Sequence, residues 1–263
     1  MTGFWKSCFQ KICKQGGLPL DYYATQNVSP VVLSCRALTK TYGGDTPALD
    51  RIDLTLTRGH IIGLLGPNGS GKTTLLKLIA GLLTPTSGEA VISGLPTGTD
   101  SKRLISYLPD QTYLSPSMRI TDVLSLFSDF YTDFDCARAY DMLQRLSIDP
   151  SRRMKELSKG SREKVQLILV MSRRADLYLL DEPIAGVDPA ARDYILHTIV
   201  NNFDPRATVL ISTHLIMDVE PILDEVIFLS QGHVLLHQPV SVICEKEGKS
   251  IDQLFREVYH YAW

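Results

Sequence analysis

The chain has few cysteines and no arrangement of them that would do chemistry. Cys8, Cys13, Cys35, Cys136 and Cys244 are odd in number and scattered, with no C-x-x-C pair and no histidines at metal-ligand spacing. A cysteine-held metal and a disulfide framework are thereby excluded, and free thiols in a reducing compartment are the expectation. Long apolar runs are also missing. The longest uncharged ones, residues 165–171 and 177–180, fall far short of the ~20 residues that cross a bilayer, so the chain is not expected to span a membrane. Neither sign of charge dominates: the formal net charge is −2, which gives no broad basic field, and no nucleic acid is expected as a partner. The opening segment has lysines spread through it and no continuous apolar stretch ending at a small-residue cleavage site. It does not read as a secretory signal, and a cytoplasmic location is expected.

What is there is enough apolar material, 44% of 263 residues, for one large domain or two small ones. Residues 1–30 stand apart. Phe4, Trp5, Cys8, Phe9, Ile12 and Cys13 recur at helical spacing among lysines, as in a basic amphipathic helix on an anionic membrane surface. A disordered tail, a helix packed on the domain and residues from an upstream start are equally open readings. Residues 31–38 and 52–56 read as strands, and 61–65 is a short apolar run ending at a glycine-rich turn with helical spacing beyond it. From about 120 to 173 the pattern is helical throughout. Strand and helix then alternate again to about residue 229, Gly232 marks a hairpin, and two weak helices follow. The alternation predicts an α/β domain with a largely parallel sheet, interrupted by a helical insertion.

Gly66, Pro67, Asn68, Gly69, Ser70, Gly71, Lys72 and Thr73 fill G-x-x-x-x-G-K-[ST] completely, after a strand and opening a helix. Glycines let backbone N–H groups turn inward onto phosphate oxygens, and the helix N-terminus adds the positive end of its dipole. Lys72 supplies charge to the β- and γ-phosphates, Thr73 a hydroxyl to Mg²⁺, and Thr74 reaches a nearer phosphate. A second element, residues 177–182, is an apolar strand ending in Asp181 and Glu182. In open α/β sheets ligands bind beyond the carboxyl ends of the strands, so Asp181 is placed to hold Mg²⁺ and Glu182 to orient or deprotonate water. ATP and Mg²⁺ are the expected cofactors.

These two elements, with what lies between and after them, resemble the ABC ATPase family. Leu157, Ser158, Lys159, Gly160 and Ser161 are similar to its LSGGQ signature, with Lys159 in place of a glycine and Ser161 in place of the glutamine. Ala185 to Asp188 resembles the D-loop, residues 211–214 the segment ending in the switch histidine, His214, and Lys40 to Gly43 the A-loop, whose aromatic residue is Tyr42. The matching stretch runs from about 31 to 236. The resemblance implies a P-loop NTPase fold of the α/β class, with a mainly parallel sheet core, an N-terminal antiparallel β-subdomain and an inserted α-helical subdomain. It implies an ATPase domain over 31–238 with the helical subdomain at about 112–160, and a short helical tail over 239–263. Tyr42 would stack on adenine, though a tyrosine beside two glycines is also an ordinary turn residue. Ser158 and Gly160 would complete the pocket of a second subunit, identical or related, and His214 would contact the γ-phosphate. The Q-loop residue is Asp110 or Gln111, the other metal candidates beside Thr73 and Asp181.

A P-loop GTPase would carry N-K-x-D, which is absent, and coiled-coil ATPases need heptads between the phosphate elements, also absent. A nucleotide-sensing module with little hydrolysis and a non-transport ATPase of the same family remain the rival expectations. The short stretch after residue 236 leaves no room for a regulatory β-domain, which points to the exporter-like group. The expectation is an ATPase subunit, with Lys72, Glu182 and His214 catalytic, coupling dimer closure to a separate membrane permease and lying on the cytoplasmic face through it. Tyr113, Leu114 and Met118 are candidate docking contacts, or else part of the subdomain's own core.

Overall fold

The computed structural model describes residues 30–44 and 46–260, and the helix considered for residues 1–30 lies outside them. Strands β1 (Val31–Lys40), β2 (Leu49–Thr57), β4 (Ser87–Ile92) and β5 (Leu95–Pro96) form an antiparallel sheet in the order β2-β1-β4-β5. In β2, Ile52, Leu54 and Leu56 point inward while Asp53 and Thr55 face solvent, the period-2 pattern of a half-buried strand, and a shift of register separates them from buried Leu49. The second sheet runs β10 (His233–Pro239), β9 (Glu225–Ser230), β3 (Ile61–Leu65), β8 (Thr208–Thr213), β7 (Leu177–Asp181), β6 (Ile105–Leu108). All its neighbours are parallel except the β9–β10 hairpin, which turns at Gln231 and Gly232, both with positive φ.

Strands β3, β7 and β8 are buried along their whole length, as strands covered on both faces must be. Alternation divides their side chains between two cores. Leu177 and Leu179 pack with Ile62, Leu64, helix α1 (Lys72–Ile79) and the antiparallel sheet; Tyr178 and Leu180 pack with the helices of the other face. Between β5 and β6 runs the short α2 (Thr99–Arg103).

The helical insertion leaves the sheet after β6 and returns before β7. It comprises α3 (Ile120–Phe130), α4 (Cys136–Arg145) and α5 (Lys159–Met171). Asp135 caps α4 by accepting the Arg138 N–H at 3.0 Å, and Ser158 caps α5 by accepting that of Ser161 at 3.2 Å. Buried Arg173 ties the insertion to the sheet: it donates to the carbonyls of Ile105 and Arg103 and to Asp133, and stacks 3.8 Å from the Tyr131 ring centre. Helices α6 (Pro189–Asn202) and α7 (Ile216–Val219) separate β7, β8 and β9, and α8 (Val240–Glu247) and α9 (Ile251–His260) follow β10. Among the described residues no helix is long and apolar enough to cross a membrane.

Candidate nucleotide site

The loop from Gly66 to Gly71 leaves β3 at the carboxyl edge of the sheet and opens α1. Two of its glycines are required by geometry. At Gly66 a Cβ would stand 2.3 Å from the Leu229 carbonyl oxygen, and Gly71 has φ 109° with no room against the Ala48 carbonyl. Because the cap of α1 is a glycine, no side chain satisfies the first N–H groups of the helix, which stay available to an anion. Lys72 folds back across the loop, its Nζ donating to the carbonyls of Gly66 at 2.7 Å and Pro67 at 3.1 Å. Burial pulls Lys72 below the ordinary lysine range, and the charges of Glu182 and Asp181 oppose that pull. Pro67 and Thr74 are half-buried, Asn68 and Gly69 are exposed, and Ser70 is buried with its Oγ unpartnered beside Gly66.

Strand β7 brings Asp181 to the foot of this loop. Its Oδ1 accepts hydrogen bonds from Thr73 at 3.1 Å and Ser212 at 2.6 Å, and the Tyr107 hydroxyl stands 3.5 Å from Oδ2. Burial pushes the Asp181 carboxyl above the usual range; the charges of Asp110 and Glu182 push the same way, against the bonds from Ser212 and Thr73. The next residue, Glu182, takes φ 50°, a conformation few non-glycine residues adopt. Its N–H donates to the Ser212 carbonyl, and both its carboxylate oxygens lie 3.0 Å from His214 Nδ1. An oxygen-only donor set of one hydroxyl and one carboxylate, ringed by further negative charge, fits a hard cation shared with phosphates. Among the described residues no three or more His, Cys, Asp or Glu converge on a metal position.

The fold therefore gathers Lys72, Thr73, Asp181, Glu182 and His214 at one edge. Asp110 and Gln111 lie exposed in the turn after β6, and the charge of Asp110 reaches both Asp181 and Tyr107. Tyr42 is 57% exposed, with Lys40 Nζ 5.2 Å from its ring centre. Ser158 and Gly160 are not joined to the loop by any hydrogen bond among the described residues. They open α5 beside the turn after β7, where Lys159 Nζ packs on Gly186 and Gly160 faces Val187. Ser212 and Tyr107 are contacts that motif reading passes over. Ser212 is one of the residues pointing from β8 toward Asp181, and only strand pairing, Asp181 opposite Ser212, reveals it.

Residues 49–185, more than half of the 263, match the ABC transporter family. The chain belongs to that family. It is an ATP-binding and ATP-hydrolysing subunit of an ABC transporter. An uncharacterized ABC transporter ATP-binding protein of Methanocaldococcus jannaschii is 33% identical over 214 residues, which cover 80% of this chain and 78% of that protein. The lipopolysaccharide export system ATP-binding protein LptB of Escherichia coli is 30% identical over 231 residues, 83% of this chain and 95% of LptB. A solved structure of the ATP binding subunit of an ABC transporter superimposes with a TM-score of 0.78 at 27% identity, covering 87% of this chain and 99% of that one. ATPase subunits of this family work as dimers with transmembrane permeases.

Proposed function

We propose that this subunit closes with a second cassette, identical or related, over two ATP molecules and that closure moves an exporter-type permease. The observation that carries this reading is the pairing of Glu182 with His214 beside the Thr73–Asp181 bond, at the mouth of the phosphate loop. ATP would take the free N–H groups of α1 and draw Lys72 off the Gly66 and Pro67 carbonyls onto its β- and γ-phosphates. Thr73 and Asp181 would hold Mg²⁺, with Asp110, whose charge Asp181 feels, filling the Q-loop position in preference to Gln111. The cation when bound supplies charge neutralisation at the phosphates.

Glu182 accepts the proton of the attacking water as the water oxygen bonds to the γ-phosphorus and the bond to the bridging oxygen of ADP breaks. His214 orients Glu182 and meets the γ-phosphate. Tyr42 offers its exposed ring to adenine, and Ser158 and Gly160 complete the second subunit's pocket. The units are an ATPase domain over 31–238, into which the helical insertion is set between β6 and β7, and a tail over 239–263. The permease places the assembly on the cytoplasmic face of the membrane.

A cavity of about 540 Å³ between α1, β6 and α3 is the docking place for a cytoplasmic helix of that permease. Of the three apolar contacts expected there, Tyr113 is exposed and lines the cavity, while Leu114 belongs to the core and Met118 packs against it. Mg²⁺-dependent ATP turnover and gel filtration in ATP test the reading. Wild type hydrolyses ATP and runs mainly as monomer, whereas Glu182→Gln loses about a thousand-fold or more in turnover and accumulates as an ATP-bound dimer. A Glu182→Gln variant that turns over ATP at the wild-type rate removes Glu182 from the mechanism.

A further inference from the structure

Helix α9 is bonded at both ends to elements that carry the nucleotide site. At its start, the N–H of Ile251 donates to Glu220 Oε1 at 2.9 Å, and that of Asp252 lies 3.5 Å from Oε2. Glu220 directly follows α7, the helix that begins two residues after His214. At the other end, the buried Tyr259 hydroxyl donates to the Leu229 carbonyl at 2.8 Å and lies 3.4 Å from that of Leu65. Those carbonyls mark the place where β3 and β9 part, since their ladder ends at Leu65 opposite Phe228. Leu65 leads straight into the phosphate loop. The Leu229 carbonyl lies directly under Gly66, so close that no side chain fits at that position, and the Gly66 carbonyl is one of the two that hold Lys72.

Packing keeps the hydroxyl there. Phe255 stands edge-on to Phe228, with ring centres 5.5 Å apart, and lies 4.2 Å from the Tyr259 ring. Burial pushes the Tyr259 phenol well above its ordinary range, so it stays a neutral donor at physiological pH. Without that hydroxyl the Leu229 carbonyl would lose a partner in a buried place and would be free to shift, and Gly66 with it.

We infer that α9 is a strut for the phosphate loop, with Tyr259 as a positioning residue that holds the Leu229 carbonyl under Gly66 and so sets the affinity for nucleotide. The inference rests on the loop being the nucleotide site, as proposed above. It is tested on the full chain by calorimetric titration with ATP, which needs no hydrolysis and no permease. Tyr259→Phe keeps the ring and removes the hydroxyl; it weakens ATP binding about three- to ten-fold, the loss of one hydrogen bond's worth of order. Met142→Ala removes buried packing from α4 in the helical insertion and leaves α9 and the Tyr259 hydroxyl untouched. It lowers Tm and leaves the ATP dissociation constant within about two-fold, so affinity and mere stability separate. Glu220→Ala frees the other end of α9 and weakens ATP binding about three-fold or more. Unchanged ATP affinity in both Tyr259→Phe and Glu220→Ala, with Tm lowered, makes α9 a packing element and overturns the strut. Lys72→Ala is the control for the site itself: if it binds ATP like wild type, the site reading fails and the strut with it, whereas lost binding in Lys72→Ala alone refutes only the strut.

Discussion

At Asp181, function and stability pull apart. The carboxyl is raised above its ordinary value of 3.8 by burial first, then by Asp110 and Glu182, so its charged form is less welcome in the folded chain than in the unfolded one. For such a group the stabilising contribution is complete below the unfolded pKa and is lost as pH rises through the higher folded one. At neutral pH the ionised Asp181 therefore burdens the nucleotide-free fold. Asp181→Asn removes that charge while its Oδ1 still accepts from Ser212 and Thr73, so the variant should melt about 3 °C higher than wild type at neutral pH and no longer hydrolyse ATP. Below about pH 4 the gain should vanish, because wild-type Asp181 is then protonated too. Differential scanning calorimetry at both pH values checks it; a lower melting temperature at neutral pH would show that the carboxylate's hydrogen bonds outweigh its burial.

Among the elements, those read most directly from sequence were the ones whose local pattern also dictates their tertiary place. An apolar run ending at Gly66 followed by helical spacing reads as β3, loop and α1, and the short run ending at Asp181 as a buried strand, and both are so placed. The pairings that finish the site were not legible, because strand order is a tertiary fact. Nothing in the spacing of Ser212 says that β8 lies beside β7, and nothing about Tyr259 says that α9 returns to the base of the loop. Arg173 was equally silent: it reads as the polar end of a helix, yet it is buried and joins the helical insertion to the sheet through Ile105, Arg103 and Asp133. A lysine there cannot reproduce the planar fork or the stack on Tyr131. Arg173→Lys should cost about 3 kcal/mol by urea unfolding, the scale of breaking a buried, hydrogen-bonded ion pair. A loss below about 0.5 kcal/mol would mean that apolar packing of α3 and α5 alone fixes the insertion.

At the scale of the whole molecule, several exposed apolar side chains among the described residues converge on one cavity. Phe130 is 75% exposed, and Leu82, Tyr113 and Leu126 are exposed with it, all lining the same 540 Å³ cavity with Tyr107 at its edge. A monomer seldom leaves large apolar side chains converging in this way unless something covers them. Lys77 and Lys102 also line the cavity, so its occupant should be an apolar helix bearing an acidic residue. The cavity borders the nucleotide site as well, since the Tyr107 ring lines it while the Tyr107 hydroxyl points at Asp181. A permease helix seated there, as proposed, would press on β6 and on the turn carrying Asp110, and docking and nucleotide chemistry would meet at that point. Phe130→Glu puts a charge where an apolar helix must lie. Co-purification of the permease with this subunit should fall about ten-fold or more, while the ATP-bound dimer of the Phe130→Glu, Glu182→Gln double variant still forms on gel filtration. Undiminished co-purification would move the docking place elsewhere. Loss of both the permease and the dimer would mean that the cavity shapes the cassette itself, because a surface used only for docking leaves the closure of two cassettes over ATP untouched.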